Sequence, residues 1–261
     1  MRFETASRTD IGRSGKGRNE DAVGLHIPTD AEVLAQYGIM IAVADGVGGA
    51  PRGDEASRIA VETLLKTYYE APADISTAQR LKDAFAKANA AVMAADEVPS
   101  YRHMCTTLVA AAVFPDRVVF ANVGDSRGYI IPSPAGTARQ VTVDHSEVQE
   151  MVRQGLITPE EAEVASNRNI ITRVVGTDPN VEVDLFDVPL VPRDTVLLCS
   201  DGLVTAVTDA EIADIVQHSL LEAAVDRLVE LAKGPKGHDN VTVCAAHLSR
   251  KSVRKVRQIW L

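Results

Sequence analysis

The sequence predicts an α+β fold in which antiparallel sheets are covered by helices, and three observations carry that prediction. Short apolar runs dense in Val, Ile and Ala recur along the chain, and they read as strands. Two long amphipathic stretches follow one another with no strand between them. The elements never settle into the regular strand–helix–strand alternation that a doubly wound parallel sheet requires.

In chain order, strands are expected at 22–27 and 39–44. Helices are expected at 53–69 and 77–96, separated by Ala71-Pro72-Ala73-Asp74, which would fold them into an antiparallel pair. Further strands are expected at 106–114, 118–123, 181–188 and 195–199. A helical region follows at 209–233, interrupted near His218 and closed by Gly234-Pro235, and a last strand spans 241–247. Residues 146–169 are polar and carry Thr158-Pro159-Glu160-Glu161 as a helix start, so they read as a mobile insertion beside a site.

Bulk properties exclude several classes. A chain of 261 residues with 46% hydrophobic residues can bury one substantial core, and no linker or repeat divides it. A net charge of -9 argues against a nucleic-acid partner, which would need a basic face. No apolar leader and no membrane span are visible, so a cytoplasmic monomer is expected. Cys105, Cys199 and Cys244 lack metal or redox spacing and read as buried free thiols. The tail at 250–261 holds five cations and Trp260. It reads as a solvated or packed C-terminal extension, with a docking role as the alternative.

The chemistry lies in where the aspartates fall. The run 39–44 leads into Asp45-Gly46, 195–199 leads through Ser200 into Asp201-Gly202, and 118–123 leads into Gly124-Asp125. Glu20-Asp21 and Asp239-Asn240 precede strands instead. In antiparallel sheets the start of one strand lies beside the end of its neighbour, so all five clusters can meet at one edge. Carboxylates brought that close repel unless a cation compensates them. An oxygen-only ligand set selects hard ions such as magnesium or manganese. A pair of such ions can activate water against a phosphate ester with no protein nucleophile. A cysteine nucleophile is disfavoured, because the position six after Cys105 is Ala111 and six after Cys199 is Thr205, where an Arg is required. Neither a DxDxT run nor a GxxxxGK[ST] frame is present.

These residues resemble a known family, the bacterial PP2C-type metal-dependent protein phosphatases. The resemblance spans Ser7 to about His247. It rests on Asn19-Glu20-Asp21-Ala22, Ala44-Asp45-Gly46-Val47-Gly48-Gly49, Gly53-Asp54-Glu55-Ala56-Ser57, Val123-Gly124-Asp125-Ser126-Arg127-Gly128, Cys199-Ser200-Asp201-Gly202-Leu203 and Asp239-Asn240-Val241-Thr242-Val243. It implies a four-layer αββα sandwich over 1–249, with a flap at about 146–169. It also implies two, or three, Mn2+ or Mg2+ ions. By motif, Asp45 would bridge two ions, joined by the Gly46 carbonyl on one and by Asp201 and Asp239 on the other. Glu20 and Asp21 would act near them, and Asp125 with Asp201 would take a third, weaker ion. The implied substrates are proteins phosphorylated by a Ser/Thr kinase.

The pattern departs from the family in places. Val47 and Ala50 stand where some members carry His, so the proton donor for the leaving group has no side chain assigned. The phosphate-binding Arg usually stands four residues before the Glu of the Asn-Glu-Asp motif; Lys16 holds that spacing, and Arg18, two residues closer, is the preferred clamp. His145 reads as a loop histidine, and Thr106 and Thr107 as packed, hydrogen-bonded strand residues. A phosphopeptide-binding module and a small-molecule phosphoesterase are the alternatives. The joint presence of Asp45, Asp201 and Asp239 argues against the first, and the second shares the same chemistry.

Overall fold

The computed structural model of the protein describes residues 2–13, 17–96, 103–235 and 237–249; Lys16 and the basic tail at 250–261 lie outside the described residues. Two five-stranded sheets form the centre. One is ordered β1 (Arg2–Asp10), β10 (Val241–Ser249), β9 (Thr195–Cys199), β6 (Arg127–Ile131), β7 (Arg139–Gln140). The other is ordered β2 (Asp21–His26), β3 (Ile39–Asp45), β4 (Leu108–Val113), β5 (Arg117–Val123), β8 (Asp184–Pro189). Every pairing in both is antiparallel.

Strand periodicity builds the layers. In β3, Met40, Ala42 and Ala44 face α2 (Gly53–Glu70) and α3 (Thr77–Ala95), while Ile39, Ile41 and Val43 face the opposite sheet. β4 repeats this with Leu108, Ala110 and Ala112 outward and Val109, Ala111 and Val113 inward. β9 sends Leu197 and Cys199 toward α7 (Asp209–Gln217) and α8 (Leu221–Ala232), and Val196 and Leu198 between the sheets. Burial on both faces is why these strands read as unbroken apolar runs rather than alternating ones. Ala-rich helix-facing rows let α2 and α3 lie close, and the result is the expected helix–sheet–sheet–helix sandwich.

Shorter helices complete the chain: α1 (Ala31–Tyr37), α4 (Glu147–Arg153), α5 (Pro159–Val164) and α6 (Asp201–Val204). α5 begins where expected, with Thr158 and Glu161 forming a reciprocal capping box and Pro159 in the first turn. All three cysteines are buried free thiols. No helix among the described residues is long and apolar enough to cross a membrane.

Several elements differ from expectation: the short α1, α4, α6 and β7 have no expected counterpart, nor do β1 and β6, and β8 starts late. β1 is an edge strand that pairs only with β10, and its mixture of polar and half-buried residues carries no apolar run to signal it. β6 is missed because Arg127 and Gly128 open it and read as the end of a turn motif. β8 begins at Asp184 rather than at residue 181; the backbone carbonyl of Glu182, just before it, is turned toward the Arg173 guanidinium, 3.5 Å away. Its last residue is Pro189, which an edge strand tolerates.

Candidate metal centre

The aspartates converge at one end of the sandwich. Asp21, the first residue of β2, stands directly opposite Asp45, the last of β3. Gly46 continues that edge: its N–H donates to the Glu20 carbonyl at 3.1 Å, and it bridges Thr106. Asp201 opens α6 immediately after β9, and Asp239 lies two residues before β10. Asp125 follows β5 after Gly124. The Asp45 carboxyl feels the charges of Asp21, Asp201, Asp125 and Asp239, so all four lie within electrostatic reach of it at this end of the sheets.

Hydrogen bonds fix this end of the fold from both sheets. Thr107 Oγ1 accepts from Asp45 N at 2.9 Å, and Thr107 N and Thr106 Oγ1 each donate to the Asp45 carbonyl at 2.8 Å. The two threonines expected to be packed therefore clamp the Asp45 backbone from both sides. Across the sheets, Ser200 Oγ donates to Asp21 Oδ2 at 2.8 Å and accepts from Thr242 N at 3.0 Å. Asn240 ties three loops together, accepting from Glu20 N at 2.8 Å and donating to the carbonyls of Ile11 at 2.8 Å and Arg18 at 3.4 Å. In the sequence, Ser200 and Asn240 stand out only as neighbours of aspartates. Their signal was adjacency, and their scaffolding role needed the three-dimensional arrangement.

A close approach also fixes Asp201. A Cβ placed on Gly202 would lie 1.9 Å from the Asn240 carbonyl oxygen, so the α6 start and the Asp239–Asn240 turn touch through a residue that admits no side chain. Gly202→Ala is expected to cost roughly 2–4 kcal/mol in urea unfolding and to weaken Mn2+ binding, because the segments that carry Asp201 and Asp239 must part. A wild-type unfolding midpoint would rule this contact out as a constraint.

The electrostatics are those of a site built to be compensated. Burial, followed by the charges of Asp21, Asp201, Asp125 and Asp239, holds the Asp45 carboxyl well above its ordinary range. Burial and the Asp201 charge push Asp21 up to about 6, against hydrogen bonds from Thr242 and Ser200. Burial and the charges of Asp201 and Asp144 push Asp125 up to about 7. Asp21 Oδ1 is buried with no hydrogen-bond partner, which is costly for a carboxylate and fits an oxygen reserved for a cation. Among the described residues, no group of three or more His, Cys, Asp or Glu side chains is drawn together closely enough to hold an ion as it stands.

At the lip, Arg18 is half exposed and lies 3.1 Å from Glu20 Oε1 and 3.3 Å from Asp54 Oδ1. It is therefore oriented by the site's own acids, with its remaining face open to solvent. His145 lies in a loop, as expected, but it is buried there, only 7% exposed, with partners on both ring nitrogens. Its partners, Asp184 and Arg173, are remote in sequence, so nothing in the local pattern could reveal them.

The fold, two antiparallel sheets covered by helices, is shared with bacterial serine/threonine phosphatases of known structure. The serine/threonine phosphatase Stp1 from Staphylococcus aureus superimposes with a TM-score of 0.83 at 36% identity, covering 96% of each chain. The catalytic domain of the phosphatase PstP, solved in complex with two manganese ions, gives a TM-score of 0.78 at 32% identity, covering 95% of this chain and 99% of that one. In sequence, a serine/threonine phosphatase from Listeria welshimeri is 40% identical over 243 residues, 90% of this chain and 92% of its own. The profile of the protein phosphatase 2C family matches residues 13–236. The chain belongs to the protein phosphatase 2C family.

Proposed function

We propose that the protein is a metal-dependent phosphatase that removes phosphate from phosphoserine and phosphothreonine in proteins, opposing a Ser/Thr kinase. The observation that carries this reading is Asp45, a half-buried residue whose desolvated carboxyl feels the charges of Asp21, Asp201, Asp125 and Asp239. Asp45, Asp201 and Asp239 would hold a pair of Mn2+ or Mg2+ ions with the Gly46 carbonyl, with Glu20 and Asp21 beside them. Asp125 with Asp201 would take a third. All donors are oxygen, as hard cations require, and the orphaned Asp21 Oδ1 supplies one of them. When bound, such ions supply Lewis acidity toward water and toward phosphoryl oxygens.

This chain's own residues do the rest. Thr106 and Thr107 hold the Asp45 backbone against thermal wandering. Arg18 binds the phosphate oxygens, and Glu20 and Asp54 keep its guanidinium at the mouth until the ester arrives. His145 supplies no proton to the leaving alkoxide, since both of its nitrogens are engaged within the fold. The insertion at 146–169, which carries α4 and α5, would act within the catalytic domain of residues 1–249 as a flap over the substrate. The relatives named as serine/threonine phosphatases support the substrate class, and the two manganese ions of PstP support the choice of ion.

The test is phosphate release from a phosphothreonine peptide in Mn2+ or Mg2+, compared with sugar phosphates. Peptide turnover should dominate and should disappear in Asp239→Ala. Full activity in excess chelator would overturn the metal reading, and equal turnover of sugar phosphates would overturn the protein substrate.

A further inference from the structure

The proton on His145 is fixed by its surroundings. The Gly124 N–H, which can only donate, points at Nδ1 from 2.9 Å, so Nδ1 is bare and the proton sits on Nε2. Nε2 lies 3.2 Å from Asp184 Oδ2 and 2.9 Å from Arg173 Nη1; the N–H of the neutral ring is directed to Asp184, the acceptor, while Arg173 Nη1 donates to Asp184 Oδ1 at 2.7 Å. Asp184 thus receives both groups and sets the angle of the imidazole plane. Burial, reinforced by Arg173 and opposed by Asp184, keeps the ring below its ordinary pKa, in keeping with a neutral tautomer.

The main chain closes the same clamp. His145 N donates back to the Gly124 carbonyl at 3.0 Å, and Asn122 Nδ2 donates to that carbonyl and to Val143 O, each at 3.1 Å. Gly124 has φ +110, and a Cβ there would lie 2.6 Å from Thr107 Cβ. Its peptide is gripped on the donor side, on the acceptor side and from below. The next residue is Asp125. On its other side, His145 O accepts from Thr172 N at 2.8 Å, and Ser146 bridges Ile171, so both ends of the 146–169 insertion meet at this residue.

We propose that His145 is a positioning residue for the cation held through Asp125. Its Nε2-protonated ring, oriented by Asp184 and Arg173, fixes the Gly124–Asp125 turn and so sets the affinity for that ion without touching ion or substrate. The inference rests on the reading that Asp125 meets a cation. A one-ångström drift of a ligand-bearing turn is costly because coordination distances tolerate little error, and lost supporting hydrogen bonds typically weaken metal binding about 10- to 100-fold.

Two substitutions separate positioning from mere packing. His145→Asn carries an oxygen near the place of Nδ1 and can still accept from Gly124. His145→Gln reaches toward Asp184 but leaves the Gly124 N–H without its acceptor. The measurement is an equilibrium titration of the full chain with Mn2+ alone, following free Mn2+ by electron paramagnetic resonance, with Asp125→Ala marking the ion class that depends on Asp125. In His145→Gln that class should weaken about 10-fold or more while the tighter class is unchanged; in His145→Asn it should stay within about threefold of wild type. Wild-type binding by His145→Gln overturns the proposal. A loss of every ion class in step with thermal stability, in both variants, reduces His145 to a structural role. If Asp125→Ala removes no ion class, the cation at Asp125 is refuted first, and the inference built on it falls with it.

Discussion

Asp45→Asn is expected to lower phosphopeptide turnover in saturating Mn2+ by about 10^3-fold or more while making the chelated protein more stable than wild type. The loss follows because Asp45 would no longer offer the ions a charged oxygen, and several kcal/mol of charge stabilisation correspond to about three decades in rate. The gain follows because desolvation of the carboxyl and four neighbouring aspartates raise the cost of its ionised form. Asn keeps the shape and discards the charge, so the apoprotein should gain roughly 1–3 kcal/mol at neutral pH in urea unfolding with excess chelator. Added Mn2+ should then stabilise wild type strongly and the variant weakly, since only binding to the folded state contributes. A variant that is both active and less stable in chelator would contradict the cluster at Asp45.

Much of this centre was legible in the sequence for a mechanical reason. Strands buried on both faces must be continuous apolar runs, and Ile39–Asp45 and Thr195–Cys199 are conspicuous for that reason, so the acid that ends each run stands out. Antiparallel pairing then predicts that Asp21 and Asp45 share an edge, and the ladder places them opposite each other. What could not be read were the contacts that join distant segments. Ser200 meeting Asp21 is a link between sheets, and Asn240 holding the Ile11, Arg18 and Glu20 backbones is a link between loops. Neither carries periodicity, because one side chain satisfying a remote backbone group leaves no local pattern.

The fold follows the same division. α2 and α3 announce themselves by apolar spacing, and α3 also by the Ser76 cap that accepts from Gln79 N at 3.2 Å. β1 does not, since an edge strand draws its stability from nine-residue pairing with β10 rather than from its own hydrophobicity. His145 combines both failures: a residue in a polar segment, its burial and its Asp184 and Arg173 partners are properties of the assembled fold alone.

The pH dependence of stability should change sign when metal is removed. In chelator, Asp21 titrates at about 6 and Asp125 at about 7 in the folded protein, against an ordinary 3.8, and Asp45 is raised as well. Between those values the folded state binds more protons than the unfolded chain, so stability is greatest on the acid side and falls as pH rises through the folded pKa values. Asp21 alone would contribute a loss of about 3 kcal/mol across that window. With Mn2+ bound, the carboxylates are held ionised and that slope disappears. His145 then sets the sign in the opposite sense: its pKa is lowered from 6.5 in the folded state, so the unfolded chain takes up the proton first and stability falls as pH drops below that value. Urea midpoints measured at about pH 5, 6 and 7 should therefore decline with pH in chelator and rise with pH in saturating Mn2+. Parallel curves in the two conditions would mean that the five carboxylates do not share one buried, cation-compensated site.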